Sequence, residues 1–221
     1  MPTLFTYTIP IDDGAAPNPF HGLCTLAICK PTIRRVAKPN DWVAGLGSRN
    51  APSGDLSGKL VYAMRVDDVI TFDEYDRRAP KEWPAKVPQP ISRDLAERLG
   101  DCIYDYTNGS PPRQRSGVHG PGNMKTDLSG VNVLLSRDFF YFGSKAIPVP
   151  PHLMSICHQS QGHKSKANTP YVADFVVWIT GLGLERGQLY GWPDLMVDWS
   201  AAHKGCGCDP RAQESVNDPV C

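Results

Sequence analysis

The apolar residues of this chain come in short runs that are closed by proline or glycine, and this spacing limits the fold to short strands and helices. Residues 4–9 alternate in the manner of a strand and stop at Pro10, and residues 23–29 form an apolar run that ends just before another proline. Two further β-rich runs, residues 41–48 and 59–66, flank a loop of Gly, Ser and Pro. They predict a hairpin with a long connection.

The remaining runs predict a mixture of helices and strands. Thr71 is an expected N-cap, followed by acidic residues in the first turn of a helix that ends near residue 78. A second helix is expected at residues 93–99, capped by Ser92, and the apolar run at 171–180 has the length of a buried helix. Residues 131–135 and 139–142 are strand-like and are expected to complete the sheet. The pattern predicts an α+β fold with a mixed or barrel-like sheet and a few flanking helices.

The length of the chain favours a single domain, and its balanced charge predicts no strong overall electrostatic field. The 221 residues are long enough to bury a sizeable core, and we expect a single domain over residues 1–200 with a polar tail over 201–221. Lys plus Arg and Asp plus Glu both number 23, so any contact with nucleic acid must be a local patch.

The sequence predicts a cytoplasmic protein that does not span a membrane. Its longest apolar stretch is interrupted by Asp174 and falls far short of the roughly 20 residues that cross a bilayer, and residues 1–10 lack the pattern of a secretion signal. The seven cysteines are an odd number, which argues against a disulfide framework. Cys206, Cys208 and Cys221 have poor spacing for zinc, so no metal is expected.

Several segments resemble one known family. The main ones are residues 12–20 (DDGAAPNPF), 24–35 (CTLAICKPTIRR), 41–48 (DWVAGLGS) and 60–66 (LVYAMRV), and the shorter ones are FDEY at 72–75, YFG at 141–143 and GHK at 162–164. Together they are similar to the nucleotide modification associated domain family, second type, over most of residues 3–195.

The resemblance implies a domain of phage and bacterial systems that make, read or counter modified bases in DNA. It implies DNA or a modified nucleotide as the ligand, and a modification enzyme as a candidate partner. More loosely, the Asp-Trp pair, the Gly-rich loop and the Val-Tyr-Ala strand are similar to the barrel of the pseudouridine-synthase-associated and YTH-like group, which reads bases in nucleic acid.

The first loop holds candidates for contact with a base. Carboxylate and amide groups suit base edges, and aromatic rings suit stacking. The alternative is a turn held by its own hydrogen bonds. The candidates are Asp12, Asp13, Asn18, Phe20 and His21.

A basic cluster and a glycine pair are candidates for contact with phosphate. Lys30, Arg34 and Arg35 carry ammonium and guanidinium donors that suit phosphate oxygens, and the alternative is a solvated charged face. Gly45 and Gly47, followed by Ser48, could let a backbone approach a ligand closely. The segment lacks the Walker lysine and the third glycine of the dinucleotide fingerprint, which excludes nucleoside triphosphate and NAD sites of those types. No cofactor is predicted.

The last candidates are His163 and Lys164, in a polar loop suited to acid–base chemistry or phosphate binding. Asp12, Asp13 and His163 are the candidate catalytic residues. The Gly- and Pro-rich stretch at residues 108–130 is either functional or disordered, and Cys24 and Cys29 are expected to be core residues.

Three functions remain open at this point. The first is a protein that recognises or processes a modified base or nucleotide in DNA modification or phage defence. The second is a glycosylase-type enzyme that excises a hypermodified base with Asp12 or Asp13 and His163. The third is a non-catalytic module that accompanies a modification enzyme. The chain has no G-x-S-x-G, H-E-x-x-H or zinc-deaminase signature, which argues against those hydrolases and deaminases.

Overall fold

A computed structural model of the protein describes residues 2–157 and 162–194. Its strands in these ranges are β1 (Leu4–Ile9), β2 (Cys24–Leu26), β3 (Trp42–Gly47), β4 (Lys59–Arg65), β5 (Asp68–Thr71), β6 (Tyr104–Asp105), β7 (Arg113–Gln114), β8 (Asn132–Ser136), β9 (Asp138–Tyr141), β10 (Ile147–Pro148), β11 (His163–Lys164) and β12 (Gln188–Leu189). Its α-helices there are α1 (Pro31–Val36), α2 (Phe72–Glu82), α3 (Leu95–Arg98), α4 (Met124–Leu128) and α5 (Val172–Thr180).

A mixed sheet forms the centre of the molecule. Its strand order is β11-β1-β3-β4-β9-β12, and β10 also pairs with β4. Strands β1 and β3 run parallel, as do β9 and β12, whereas β4 runs antiparallel to both β3 and β9. A smaller antiparallel sheet has the order β2-β8-β5, and β6 and β7 form a separate pair.

The core consists of three apolar layers. One face of the central sheet packs on α5 and nearby 3₁₀ turns through residues such as Trp42 and Phe175. The other face packs on the small sheet and α1, where Tyr62 and Leu134 share a cluster. The far side of the small sheet packs on α2 through Val133 and Tyr75. The small sheet is therefore covered on both sides, and its polar residues Thr25 and Ser136 are buried, whereas Asp68 and Thr71 on its edge strand β5 are exposed.

The α+β prediction is confirmed, and the sheets do not close into a barrel within the two described ranges. Strands β3 and β4 form the expected hairpin, and Thr71 caps α2 by accepting from the Glu74 amide. The segment α5 is helical as expected, but it is not a buried helix, because only its Phe175 and Ile179 are buried. In the same ranges no helix is both long and apolar enough to cross a membrane.

Helix α2, expected to end near residue 78, continues to Glu82. Three other local predictions were wrong. Strands β8 and β9, expected to continue one sheet, belong to different sheets, with only Arg137 between them. Helix α3 starts after Asp94 instead of Ser92, because the Asp94 carboxylate accepts from the Ala96 amide. Strand β2 ends at Leu26, and Cys29 and the next residue adopt left-handed backbone conformations instead.

Candidate functional site

A row of tyrosines crosses the central sheet on the face toward the small sheet. Strand register aligns Tyr7 with Gly45, Gly45 with Tyr62, and Tyr62 with Tyr141. The three tyrosines are fully buried, and the hydroxyls of Tyr7 and Tyr62 lie 2.9 Å apart. A Cβ atom at Gly45 would lie 2.5 Å from the Tyr62 ring and 2.4 Å from Ile9. Gly45 therefore leaves room for the tyrosines to meet across strand β3.

Asp12 lies at one end of this row. Tyr141 donates its hydroxyl hydrogen bond to Asp12 Oδ1 at 2.5 Å, and Oδ2 has no hydrogen-bond partner among the described residues. Only 6% of Asp12 is exposed. Burial raises the pKa of Asp12 to about 7, although the bond from Tyr141 acts in the opposite direction. This carboxyl group can therefore hold or release a proton near neutral pH.

Cys29 and Lys30 lie at the other end of the row. They form the turn between β2 and α1 and have φ angles of 58° and 42°, a region that non-glycine residues seldom adopt. The ammonium of Lys30 lies 4.7 Å from the centre of the Tyr7 ring, and burial lowers the pKa of Lys30. Such conformations cost roughly 1–3 kcal/mol of stability each, and they therefore occur most often at functional sites.

Cys29 begins a line of three groups with the geometry of a nucleophile, a base and an orienting acid. Its Sγ lies 3.3 Å from His119 Nε2, and His119 Nδ1 lies 2.6 Å from Asp127 Oδ2. Asp127 also accepts hydrogen bonds from the Cys29 amide at 2.9 Å and from the Tyr104 hydroxyl at 2.7 Å. An imidazole held between a thiol and a carboxylate can take the thiol proton and later return it.

The charge state of His119 follows from these neighbours. Burial acts to lower the pKa of His119, but Cys29 and Asp127 together raise it well above its ordinary value. The imidazolium form is therefore favoured at neutral pH. In cysteine enzymes an adjacent imidazolium favours the reactive thiolate.

Arg34 fixes the backbone around this line. Its guanidinium donates to the carbonyls of Cys29 at 2.7 Å, Asp127 at 2.6 Å and Asn132 at 2.7 Å, and none of the side chain is exposed. Burial lowers its pKa to about 10, so the group remains charged at neutral pH. Arg34 ties the turn before α1 to α4 and β8, and its donors are occupied by backbone instead of facing solvent.

A comparison with family models matches residues 1–202 to the nucleotide modification associated domain 2 family. The chain belongs to this family. The match covers the tyrosine row, Asp12 and the line from Cys29 to Asp127, so each lies within the family domain. No curated protein and no solved structure gives a significant match.

In this family member the residues predicted from the first loop have different surroundings. Asn18 is buried, and its amide donates to the Leu99 carbonyl at 2.9 Å. Phe20 is buried beside α3, whereas His21 is exposed. Asp13 accepts from the Ala15 amide within the loop. Asp12, in the same loop, accepts the hydrogen bond from Tyr141 of the tyrosine row.

The other predicted residues divide between the site and its surroundings. Lys30 and Gly45 lie at the tyrosine row, and His163 is the strand partner of Tyr7, with its ring 5.9 Å from Phe5. Arg35 is exposed on α1, whereas Gly47 packs on the Leu56 backbone. Two further residues have hydrogen bonds that account for their positions, namely Ser48, which accepts from the Asn50 amide, and Lys164, which donates to the carbonyls of Ser155 and Cys157.

Sequence reasoning missed the reactive line. Cys29 was expected in the core, and His119 and Asp127 fell within the stretch at residues 108–130, interpreted as functional or disordered. The available signal for a nucleophile was a cysteine with no disulfide or metal role in a chain that also has a histidine in a polar loop. The tail cysteines Cys206, Cys208 and Cys221 lie outside the described residues.

Proposed function

We propose that this protein is an enzyme that processes a modified base or nucleotide in DNA modification or phage defence, with Cys29 as its nucleophile. The observation that carries the proposal is the line from Cys29 through His119 to Asp127, with separations of 3.3 Å and 2.6 Å. Family membership supplies the association with nucleotide modification. A base in DNA would have to leave the helical stack to reach the thiol.

The proposed reaction is a hydrolysis in two steps. At the start the Cys29 proton rests on His119, and Cys29 Sγ forms an S–C bond to an electrophilic carbon of the modification or the base. The bond between that carbon and its leaving group breaks, and the leaving group takes the proton from His119. Water then loses a proton to His119 and attacks the same carbon, and the sulfur departs as the thiolate. Asp127 keeps the imidazole in the orientation that presents Nε2 to the thiol.

The test is a turnover assay with matched cysteine variants. Wild-type protein, Cys29→Ser and Cys157→Ser are incubated with hypermodified phage DNA, glucosylated DNA and plain DNA, and the nucleosides are measured by mass spectrometry. Cys157 is a suitable control because it is also free and half-buried. We expect a modified nucleoside to be consumed by the wild type and by Cys157→Ser but not by Cys29→Ser. Equal consumption by all three proteins would reject Cys29 as the nucleophile.

Asp12 favours a second candidate function, a glycosylase that removes the modified base. A buried carboxyl with a pKa of about 7 could donate a proton to a departing base. In this case abasic sites accumulate and are cut by alkali, and Asp12→Asn abolishes cutting whereas Cys29→Ser retains it. If no DNA in the panel is altered but a modification enzyme co-purifies in stoichiometric amount, the non-catalytic module is the better account.

A further inference from the structure

The segments that carry Cys29 and His119, up to the residue before Asp127, contain basic residues but no acidic ones. Residues 14–40 and 106–126 hold seven of the 23 lysines and arginines and none of the 23 acidic residues. The rest of the chain therefore has an excess of acidic residues. A neutral protein with this distribution presents a local positive field where these segments meet.

The fold brings the two segments together beside Cys29. Arg34 on α1 binds the Asp127 carbonyl of α4, and Arg35 donates to the Ser129 carbonyl at 3.3 Å just after α4. The Asp127 carboxylate, the nearest acidic group along α4, is 1% exposed and faces inward. The surfaces of α1 and α4 are thus continuous, and the acidic group beneath them is covered.

Not all seven cations are available to a ligand. Arg34 is buried, Lys30 is half-buried against the Tyr7 ring, Arg113 pairs with Asp105 at 3.2 Å, and Arg115 pairs with Asp76 at 2.7 Å. Three others are exposed, and we call them the basic face: Arg35, Lys38 and Lys125.

We propose that the basic face binds phosphates of a nucleic-acid strand, so that the substrate is a base within a strand and not a free nucleotide. The statement that a base of the bound strand reacts rests on the proposed function, whereas the binding of the strand by the basic face does not. A free nucleotide offers phosphate at one position. Three cations, on α1, just after α1 and on α4, match successive phosphates of a strand better, because such contacts position the strand while the reactive group addresses the base.

The test measures how binding depends on salt. Binding of a labelled DNA of about 20 nucleotides, single- or double-stranded, is followed by fluorescence anisotropy between about 50 and 200 mM salt. All proteins carry Cys29→Ser, so that turnover does not interfere. One variant replaces Arg35, Lys38 and Lys125 by Gln, and the matched control replaces three exposed cations elsewhere by Gln, namely Lys81, Arg93 and Lys166.

We expect the slope of log affinity against log salt concentration to decrease in magnitude by roughly 2 to 3 when the basic face is neutralised. Each lost phosphate contact lowers the magnitude of that slope by about 0.7 to 0.9. The control variant should keep its slope. Equal slopes for the two variants, or no binding that depends on salt, would overturn the proposal. If Cys29→Ser retains turnover while the slopes differ as expected, the proposed nucleophile is wrong but the strand-binding face stands.

Discussion

The replacement of Asp127 by Asn tests whether the carboxylate organises the reactive line. Asp127 accepts from His119, Tyr104 and the Cys29 amide at 2.6 to 2.9 Å and is almost fully buried. Asn retains one acceptor oxygen, so about two bonds to a charged acceptor are lost. At roughly 1.5–3 kcal/mol each, we expect a loss of about 4 kcal/mol in the free energy of unfolding. Urea denaturation measures this loss.

The same variant changes the titration of His119. Because the folded-state pKa of His119 is raised, the stability it contributes is fully present below about pH 6.5 and is lost as pH rises through the raised value. Asp127→Asn should lower the His119 pKa seen by NMR and shrink this pH dependence.

Asp101 supplies a matched control for Asp127. It is equally buried and accepts from Thr25 and Tyr75, both at 2.6 Å. Asp101→Asn should also destabilise the fold but leave His119 unchanged. If Asp127→Asn unfolds like wild type and His119 titrates as before, the hydrogen-bond reasoning is refuted.

Three further predictions concern Asp12, Arg34 and Gly45. The pKa of Asp12 is raised in the folded state from 3.8 to about 7, so the stability that its protonated form contributes is lost as pH rises from about 4 to 7. The free energy of unfolding of the wild type should therefore fall by about 4 kcal/mol between pH 4 and pH 8 in urea titrations, and Asp12→Asn should abolish this fall. Arg34→Lys should cost roughly 3 kcal/mol in chemical denaturation, because one ammonium cannot serve three carbonyls, whereas Arg35→Lys should cost less than about 0.5; equal costs would contradict this. Gly45→Ala should lower thermal stability by about 1–3 kcal/mol through contact with the Tyr62 ring, and an unshifted melting temperature would count against the packing argument.

Local elements of the fold could be predicted from the sequence because they depend on neighbours in the chain. Alternating side chains identified β1, and the Thr71 cap with its acidic first turn identified the start of α2. The two-sheet arrangement could not be predicted, because β8 and β9 have similar apolar patterns and are separated only by Arg137. Which sheet a strand joins is decided by packing with distant residues.

The candidate site was only partly predictable for the same reason. Asp12 and Lys30 were named as site residues, and they lie at opposite ends of the tyrosine row. Cys29 and Asp127 are 98 positions apart, and no local motif joins them to His119. The guanidinium of Arg34 has the donors that suit phosphate, yet these donors form hydrogen bonds to backbone carbonyls around it. Side-chain chemistry identifies what a residue can bind, whereas the fold decides which partner it meets.

The most direct test of the central claim is the alkylation rate of Cys29 as a function of pH. Wild-type protein and His119→Gln are treated with iodoacetamide between about pH 5 and 9, and peptide mass spectrometry follows Cys29, with Cys157 as the internal reference because burial raises its pKa. We expect Cys29 to react much faster than Cys157, because His119 lies 3.3 Å from its Sγ, and His119→Gln to remove this difference. If Cys29 reacts no faster than Cys157 and His119→Gln changes nothing, Cys29 is not an activated nucleophile.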